Sequence, residues 1–284
     1  VSAETYELFS KEPPSGNLGF VDPKAKTLQL TVAGHDLTIH QSPTALSSNR
    51  AGGTTGAVLW KITPVFAEWM SRPENLFFAS GVLSSQSSVI ELGCGIAALN
   101  GLVLAPKVCR YVLTDQPYVA KLVEQNIEEN FGVLSSKPAS GVRGSKTLGR
   151  KMKGGAHDYP TPLLTFRELD WETDGVDPSL TGGDALRSFD AIIACDCIYN
   201  EALIEPFVQT CADICRLRVV DHAGMPPTLC IVGQQLRDAD VFETFMNRFS
   251  RDFDIWRVPE SRLVEGLRSN SGFVVHVGRL KNPL

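Results

Sequence analysis

The chain has 284 residues, 43% of them hydrophobic, enough to bury a substantial core as one large α/β domain or two small ones and too apolar for a disordered tail protein. Its 27 Lys and Arg against 32 Asp and Glu give a net charge of −5, which argues against a surface coated in positive charge for nucleic acid. No uninterrupted apolar run exceeds the five residues from Ala191 to Cys195, far below the roughly 20 that a membrane helix needs.

The charge is unevenly placed. From Leu134 to His157 six cations (Lys137, Arg143, Lys146, Arg150, Lys151, Lys153) stand without a carboxylate, leaving 21 cations against 32 carboxylates, a net −11, elsewhere. The expectation is an acidic body with one basic insert. Val1-Ser2-Ala3-Glu4-Thr5-Tyr6-Glu7 lacks the charged and apolar regions of a secretory signal, and the missing initiator Met fits a processed or trimmed form. Most of the seven cysteines have apolar neighbours, as in Ala194-Cys195-Asp196-Cys197 and Leu229-Cys230-Ile231. Small reduced core residues fit that better than a disulfide framework, which points to the cytoplasm or the nucleus. Cys195-x-Cys197 and Cys211-x-x-x-Cys215 lack zinc-ligand spacing and a nearby His, so no metal is expected.

In chain order, residues 1–53 read as a β extension and loop ahead of a main domain over 54–284. Leu28, Leu30 and Val32 alternate with Gln29 and Thr31, and Ala33-Gly34 turns the chain into Leu37-Thr38-Ile39. Gln41 to Gly56, rich in Ser, Asn, Gly and Thr, reads as loop. Thr63-Pro64 offers an N-cap with proline at the first helical position, and Phe66, Ala67, Trp69 and Met70 supply an apolar side.

From Ser88 onward strands and helices alternate. Val89 to Leu92 is a buried-strand run, Ala98 to Leu104 a short helix, Cys109 to Leu113 a strand and Tyr118 to Phe131 an amphipathic helix. The insert, Leu134 to Pro160, is rich in Gly and Ser and too long for an ordinary connection, so it reads as a mobile loop. Strands follow at Leu163 to Leu169, Phe189 to Cys195 and Thr228 to Gly233, with helices at Ala202 to Arg216 and Ala239 to Ser250. This alternation predicts a mostly parallel sheet covered on both faces, with ligands at the carboxyl ends of its strands. Phe253 to Val258 and Phe273 to Val277, joined by a loop, read as an antiparallel last pair.

The chemistry concentrates at Glu91-Leu92-Gly93-Cys94-Gly95-Ile96-Ala97, a strand end leading into a helix, where glycines let a ligand approach the backbone. Gly93-x-Gly95-x-x-Ala98 also fits a dinucleotide fold, and Asp115, twenty residues past Gly95, fits a ribose-binding carboxylate for either cofactor type. Glu91 separates the two, because it would repel a pyrophosphate yet suits the positive amino and sulfonium groups of S-adenosylmethionine, directly or through water. The bland alternative is a generic strand-turn-helix joint.

Val89-Ile90-Glu91-Leu92-Gly93-Cys94-Gly95 with Thr114-Asp115 resembles the class I, Rossmann-like methyltransferases that use S-adenosylmethionine. Four further segments resemble one branch of them, the family-16 protein-lysine methyltransferases: Thr55-Gly56-x-x-x-Trp60, Gln125-Asn126-Ile127-x-x-Asn130, Leu169-Asp170-Trp171 and Asp196-Cys197-Ile198-Tyr199. They run in order from Thr54 to Gly278, interrupted only by the insert. The resemblance implies an α/β fold with a seven-stranded, mostly parallel sheet and an antiparallel last strand. It also implies S-adenosyl-L-methionine as methyl donor and S-adenosyl-L-homocysteine as product.

What it implies for single residues has a physical sense in each case. Gly93, Gly95 and Cys195 line the cofactor, and Glu91 faces its positive end. Asp115 accepts the ribose hydroxyls, against the alternative of a loop Asp or helix cap ahead of Pro117. Asp170 accepts the adenine amino group beside the Trp171 ring, which could instead merely pack at the sheet edge. Trp60 matches a cofactor-side Trp or anchors a helix. Asp196 and Tyr199 form the catalytic pair. A lysine has a pKa of about 10.4, so about one amine in 2,500 carries a free lone pair at neutral pH; Asp196 would attract the ammonium, and an apolar channel with Tyr199 would disfavour its charge and orient it. Asp196 or Asn200 could instead simply cap the next helix. Ala97 stands where a third glycine is common, tolerable if φ stays negative, and Asn200 follows Tyr199 where an aromatic or another polar residue occurs.

The reading is a protein-lysine N-methyltransferase. Within the branch, the Asp-Cys-Ile-Tyr-Asn segment, the β extension and the insert are most similar to the fungal ribosomal protein lysine methyltransferases, which implies a large-subunit ribosomal protein as substrate. The expected chain is a monomer without a membrane contact, its basic insert the one segment able to touch ribosomal RNA. Competing readings are a small-molecule, nicotinamide-like N-methyltransferase, a non-catalytic S-adenosylmethionine-binding protein and an oxidoreductase.

Overall fold

The computed structural model of the chain describes residues 1–10, 19–47, 54–135, 164–182, 187–221 and 225–281. Along them run α1 (Ser2–Phe9), β1 (Thr27–Val32), β2 (His35–His40), α2 (Pro43–Leu46), α3 (Ile62–Ser71), α4 (Leu76–Ala79), β3 (Ser88–Leu92) and α5 (Leu99–Leu104). Then come β4 (Arg110–Asp115), α6 (Ala120–Ser135), β5 (Leu164–Glu168), β6 (Ala191–Cys195), α7 (Ile204–Asp221), β7 (Leu229–Gln235), α8 (Ala239–Asp252), β8 (Phe253–Arg257) and β9 (Phe273–Leu280).

Among the described residues seven strands form one sheet in the order β5-β4-β3-β6-β7-β9-β8. β3, β4, β5, β6 and β7 pair in parallel, while β9 runs antiparallel to β7 and β8. This is the expected mostly parallel sheet with an antiparallel last strand. β3 and β6 are buried at every position, because parallel strands in mid-sheet have helices on both faces. One buried cluster joins Phe66, Trp69, Leu102 and Val123 to one face; the other joins Phe207, Phe245 and Phe249 to the opposite face. Chain direction across the sheet reverses between β3 and β6, which opens a crevice at their carboxyl ends.

The hairpin β1–β2 turns at Ala33 and Gly34, both with positive φ, the backbone twist that a two-residue hairpin turn prefers. The outer edge of β2 does not face water. Asn126 and Asn130, four residues apart on α6, present their amides to alternate residues of β2. Thr38 N donates to Asn130 Oδ1 at 2.9 Å and Asn130 Nδ2 returns a bond to Thr38 O; His40 N donates to Asn126 Oδ1 at 2.7 Å and Asn126 Nδ2 returns one to His40 O. Four residues of helix rise about 6.0 Å and two residues of strand about 6.8 Å, close enough for this register. Asn126 Nδ2 also donates to Ile96 O, so the hairpin, α6 and the glycine segment share one side chain.

Several local expectations differ from the structure. Ser2–Phe9 is a helix where the sequence suggested only a β extension; Phe9 packs on Phe242 at 5.6 Å, and Glu4 meets the buried His276 at 3.0 Å. Eight residues with one buried apolar side chain, Leu8, carry too little periodicity to be read alone. Thr63 does not cap α3, which starts two residues earlier from Lys61 without a side-chain cap; Thr63 is instead buried beside Cys195. The stretch after Gln41 holds the short helix α2, capped by Ser42. Nearly all of the insert 134–160 lies outside the described residues.

Replacing Asn126 by Ala strips partners from His40 N, His40 O and Ile96 O together. The expected cost is about 2–4 kcal/mol, read as a lower urea midpoint, with faster hydrogen exchange at Thr38 and His40 than in the wild type.

Candidate active site

The site starts at the exit of β3. Gly93 and Gly95 have φ of 66° and 58°, which side chains with a Cβ rarely adopt. Space is short for a Cβ as well: at Gly93 it would lie 2.7 Å from Cys197 Sγ and 3.3 Å from the Trp171 ring, which excludes it, and at Gly95 a tight 3.2 Å from Gly56 O. Ile96 N donates to Gly56 O at 2.9 Å and Gly56 N to the Tyr118 hydroxyl at 3.1 Å, so the Thr55-Gly56 segment is laced to the glycine segment. Ala97 needs no positive φ; the left-handed residue is its neighbour Ala98, at φ 51°, a conformation that costs about 1–2 kcal/mol.

Two carboxylates brace this joint. Glu91 is buried within the sheet, its oxygens accepting from Asn100 Nδ2 and the Tyr111 hydroxyl, each at 2.8 Å. Burial raises its pKa to about 7 against the lowering effect of those two bonds. Asp115, half-buried at the end of β4, accepts from Gly95 N at 2.8 Å and Gln116 N at 2.7 Å; burial raises its pKa to about 6. It does not cap the turn at Pro117, where no side-chain cap bond forms.

Beyond β5, Asp170 accepts from Glu172 N at 3.0 Å and Gln116 Nε2 at 3.4 Å. Trp171 lies edge-on to Phe207 at 5.2 Å, and its buried Nε1 has no partner. Trp60 donates from Nε1 to Thr55 O, with Phe20 at 4.2 Å and the Arg237 guanidinium at 4.3 Å from its ring.

After β6 the chain turns sharply: Asp196 has φ 62°, donates its N–H to Gly233 O at 2.8 Å and is 6% exposed. Its Oδ2 accepts from Gln235 Nε2 at 2.6 Å and from the Arg237 guanidinium; its Oδ1 receives only a 3.4 Å bond from Gln235 N. Burial raises the Asp196 pKa, and Arg237 and Gln235 oppose the rise. Asn200, not Asp196, caps the turn leading to α7. Tyr199 stands at the mouth, 36% exposed.

All ten residues singled out from sequence, Trp60, Glu91, Gly93, Gly95, Asp115, Asp170, Trp171, Cys195, Asp196 and Tyr199, line one cleft that opens to solvent. Gln235 and Arg237 were not anticipated, though the position of both at the carboxyl end of β7 is where ligand-facing residues of such sheets stand. Among the described residues no group of three or more His, Cys, Asp or Glu could hold a metal ion.

A family model described as lysine methyltransferase matches residues 40–141. Ribosomal lysine N-methyltransferase 5 of Zygosaccharomyces rouxii is 32% identical over 248 residues, covering 78% of this chain and 72% of that protein. The chain belongs to the lysine methyltransferase family. Ribosomal lysine N-methyltransferase 5 of Candida glabrata is 28% identical, with 76% of this chain and 70% of that one covered. A Schizosaccharomyces pombe protein named diaminohydroxyphosphoribosylamino-pyrimidine deaminase is 27% identical over 90% of this chain, which spans 52% of its length.

The methyl donor of this lysine methyltransferase family is S-adenosylmethionine, and the cleft suits it. The glycine walls admit a close approach, Trp171 Nε1 is a buried donor without a partner, and the acids Asp115 and Asp170 offer acceptors to hydroxyl and amino groups. Glu91 has both oxygens engaged by protein donors, so its influence on a bound cation is that of a nearby charge.

The raised Glu91 pKa means the folded chain holds that proton more tightly than the unfolded one. Its contribution to stability is therefore fully present below about pH 4.5 and lost as pH rises through about 7. In Glu91→Gln, Asn100 can turn its unpartnered Oδ1 toward the new amide, and the dependence should flatten between pH 5 and 8 by up to one proton's slope, about 1.4 kcal/mol per pH unit. Urea midpoints of both proteins at the two pH values check this.

Proposed function

We propose that this enzyme methylates a lysine of a large-subunit ribosomal protein. The observation that carries the reading is the single cleft in which Asp115 and Asp170 stand on one side of the glycine segment and Asp196 and Tyr199 on the other. The ribosomal names of the Zygosaccharomyces rouxii and Candida glabrata relatives support the substrate.

In this reading Asp115 accepts the ribose hydroxyls and Asp170 the adenine amino group, with Trp171 as the aromatic wall and Gly93, Gly95 and Cys195 as the close-approach surface. Trp60 is the cofactor-side wall next to the Thr55-Gly56 segment, its ring held by contacts with Phe20 and the Arg237 guanidinium. When bound, S-adenosylmethionine supplies an electrophilic methyl group on a sulfonium. The chain's own task is to deliver an amine with a free lone pair to that region. Asp196 Oδ1 accepts an N–H of the amine and Tyr199 forms the lip of its channel. The basic stretch within 134–160 is the proposed contact to ribosomal RNA, monomeric action is sufficient for the chemistry, and the seven free cysteines suit a reducing cytoplasm or nucleus.

Labelled S-adenosylmethionine, incubated with the protein and an extract from cells lacking the endogenous enzyme, should place label on a lysine of a large-subunit protein, located by mass spectrometry. Label confined to small molecules would overturn the reading. Asp115→Ala should weaken binding of S-adenosylhomocysteine at least a hundredfold by calorimetry, and wild-type affinity should fall as pH drops through about 6 and that carboxylate is protonated. Asp196→Ala should bind S-adenosylhomocysteine within about threefold of wild type yet lose most transfer of label.

A further inference from the structure

Asp196 is not a bare carboxylate awaiting a cation. Its Oδ2 is taken by Gln235 Nε2 and the Arg237 guanidinium, while Oδ1 keeps acceptor capacity, its one bond among the described residues being the 3.4 Å contact from Gln235 N. The two donors are themselves held. Gln235 Oε1 accepts from Gly19 N at 2.8 Å, and the guanidinium lies over Trp60, whose other neighbours are Phe20 and Thr55 O. The segment Gly19–Phe20 is tied to the same wall by Lys61 N donating to Gly19 O at 2.9 Å. Asp196, Gln235, Gly19, Phe20, Trp60 and Arg237 thus close a ring of contacts around one ion pair.

A lone, 6% exposed carboxylate would hold an incoming lysine as its ammonium and bind the proton more tightly, the opposite of what attack requires. Paired with Arg237, the acid presents no net charge, and the guanidinium disfavours a second cation beside it. What remains is an oxygen able to accept a hydrogen bond from a neutral amine. We propose that Arg237 is a positioning residue that sets the charge of the amine site: by fixing and neutralising Asp196 it makes the site select the target lysine in its unprotonated form. This rests on the lysine-transfer reading above and extends it to a residue outside the motif segments.

The other ionisable groups of the cleft are Glu91 and Asp115, with pKa values of about 7 and about 6, and Cys195, Cys197 and Tyr199, all raised by burial; Lys61 and Asp238 adjoin Trp60 and Arg237 along the chain. From pH 7.5 to 10 Asp115 stays ionised and the raised thiols and phenol stay protonated, while the tail of the Glu91 titration falls at the acid end of the range, so the limb above about pH 8 reports the bound amine.

The test measures kcat and KM from pH 7.5 to 10 for wild type, Arg237→Met and Arg237→Lys, using whichever protein band the wild type labels in the extract. S-adenosylhomocysteine binding by calorimetry serves as the control for folding and cofactor affinity. In Arg237→Met the limb should move up by about 1–2 pH units, with kcat at pH 7.5 down about 10–100-fold, KM unchanged or lower and cofactor affinity retained; Arg237→Lys should restore most of the limb. A uniform fall of kcat at every pH, or an unmoved limb, overturns the proposal. Label on a non-ribosomal protein overturns the ribosomal substrate alone, since the pH series still runs on that band; no protein label from the wild type overturns the lysine-transfer reading and this inference with it.

Discussion

A carboxylate buried in mid-sheet sets the terms for the rest of the molecule. Glu91 cannot be left unpartnered in a layer closed by helices on both faces, and its partners come from two different elements, Tyr111 of β4 and Asn100 of α5. Those two bonds fix the strand, its neighbour and the helix that follows, so the turn between β3 and α5 has little freedom. Gly93 and Gly95 take that turn at positive φ where a Cβ would crowd Cys197 and Gly56. Asp115 then fastens Gly95 from the next strand, and Asn126 fastens Ile96 from α6.

The second half of the site is built on a corner instead of a turn. Asp196 leaves β6 in the left-handed region, which Asp tolerates better than most residues because its short side chain can bond locally. The reward for this conformation is that the carboxylate folds back beneath the end of β7, where Gln235 and Arg237 receive it. Strain at one residue and a buried ion pair at the next strand are coupled, a pattern found where geometry serves a reaction. The N-terminal segment enters here too, since Gly19 and Phe20 complete the wall that holds Gln235 and Trp60. A stretch that reads as an extension ahead of the domain is thus part of the site's boundary.

Much of this was legible in advance, for reasons specific to the elements. The runs Val89 to Leu92, apolar but for Glu91, and Ala191 to Cys195 are short between turn signals, so they read as buried parallel strands, and the residues placed at their ends fall in the cleft. Helix α1 and the true start of α3 were not legible: the first has too few apolar positions, and at the second proline's preference for a first turn outweighed the packing of Thr63 against Cys195. The two asparagines of α6 were visible as a motif, but nothing in their spacing says that they pair with a strand. That pairing requires β2 to lie against the helix.

By itself the sequence determined the order of the main sheet's strands and of the helices between them, the glycine joint and the list of acids, because period, turn chemistry and charge are local properties. Only the tertiary structure decided which of those acids is free to meet a ligand. Glu91 proves to be committed to Asn100 and Tyr111, Asp115 to brace the glycine segment while still facing the cleft with acceptor capacity to spare, and Asp196 to carry its own counter-ion from forty-one residues away. A carboxylate's availability depends on which donors the fold brings within about 3 Å of it, and donors on neighbouring strands of a parallel sheet are far apart along the chain.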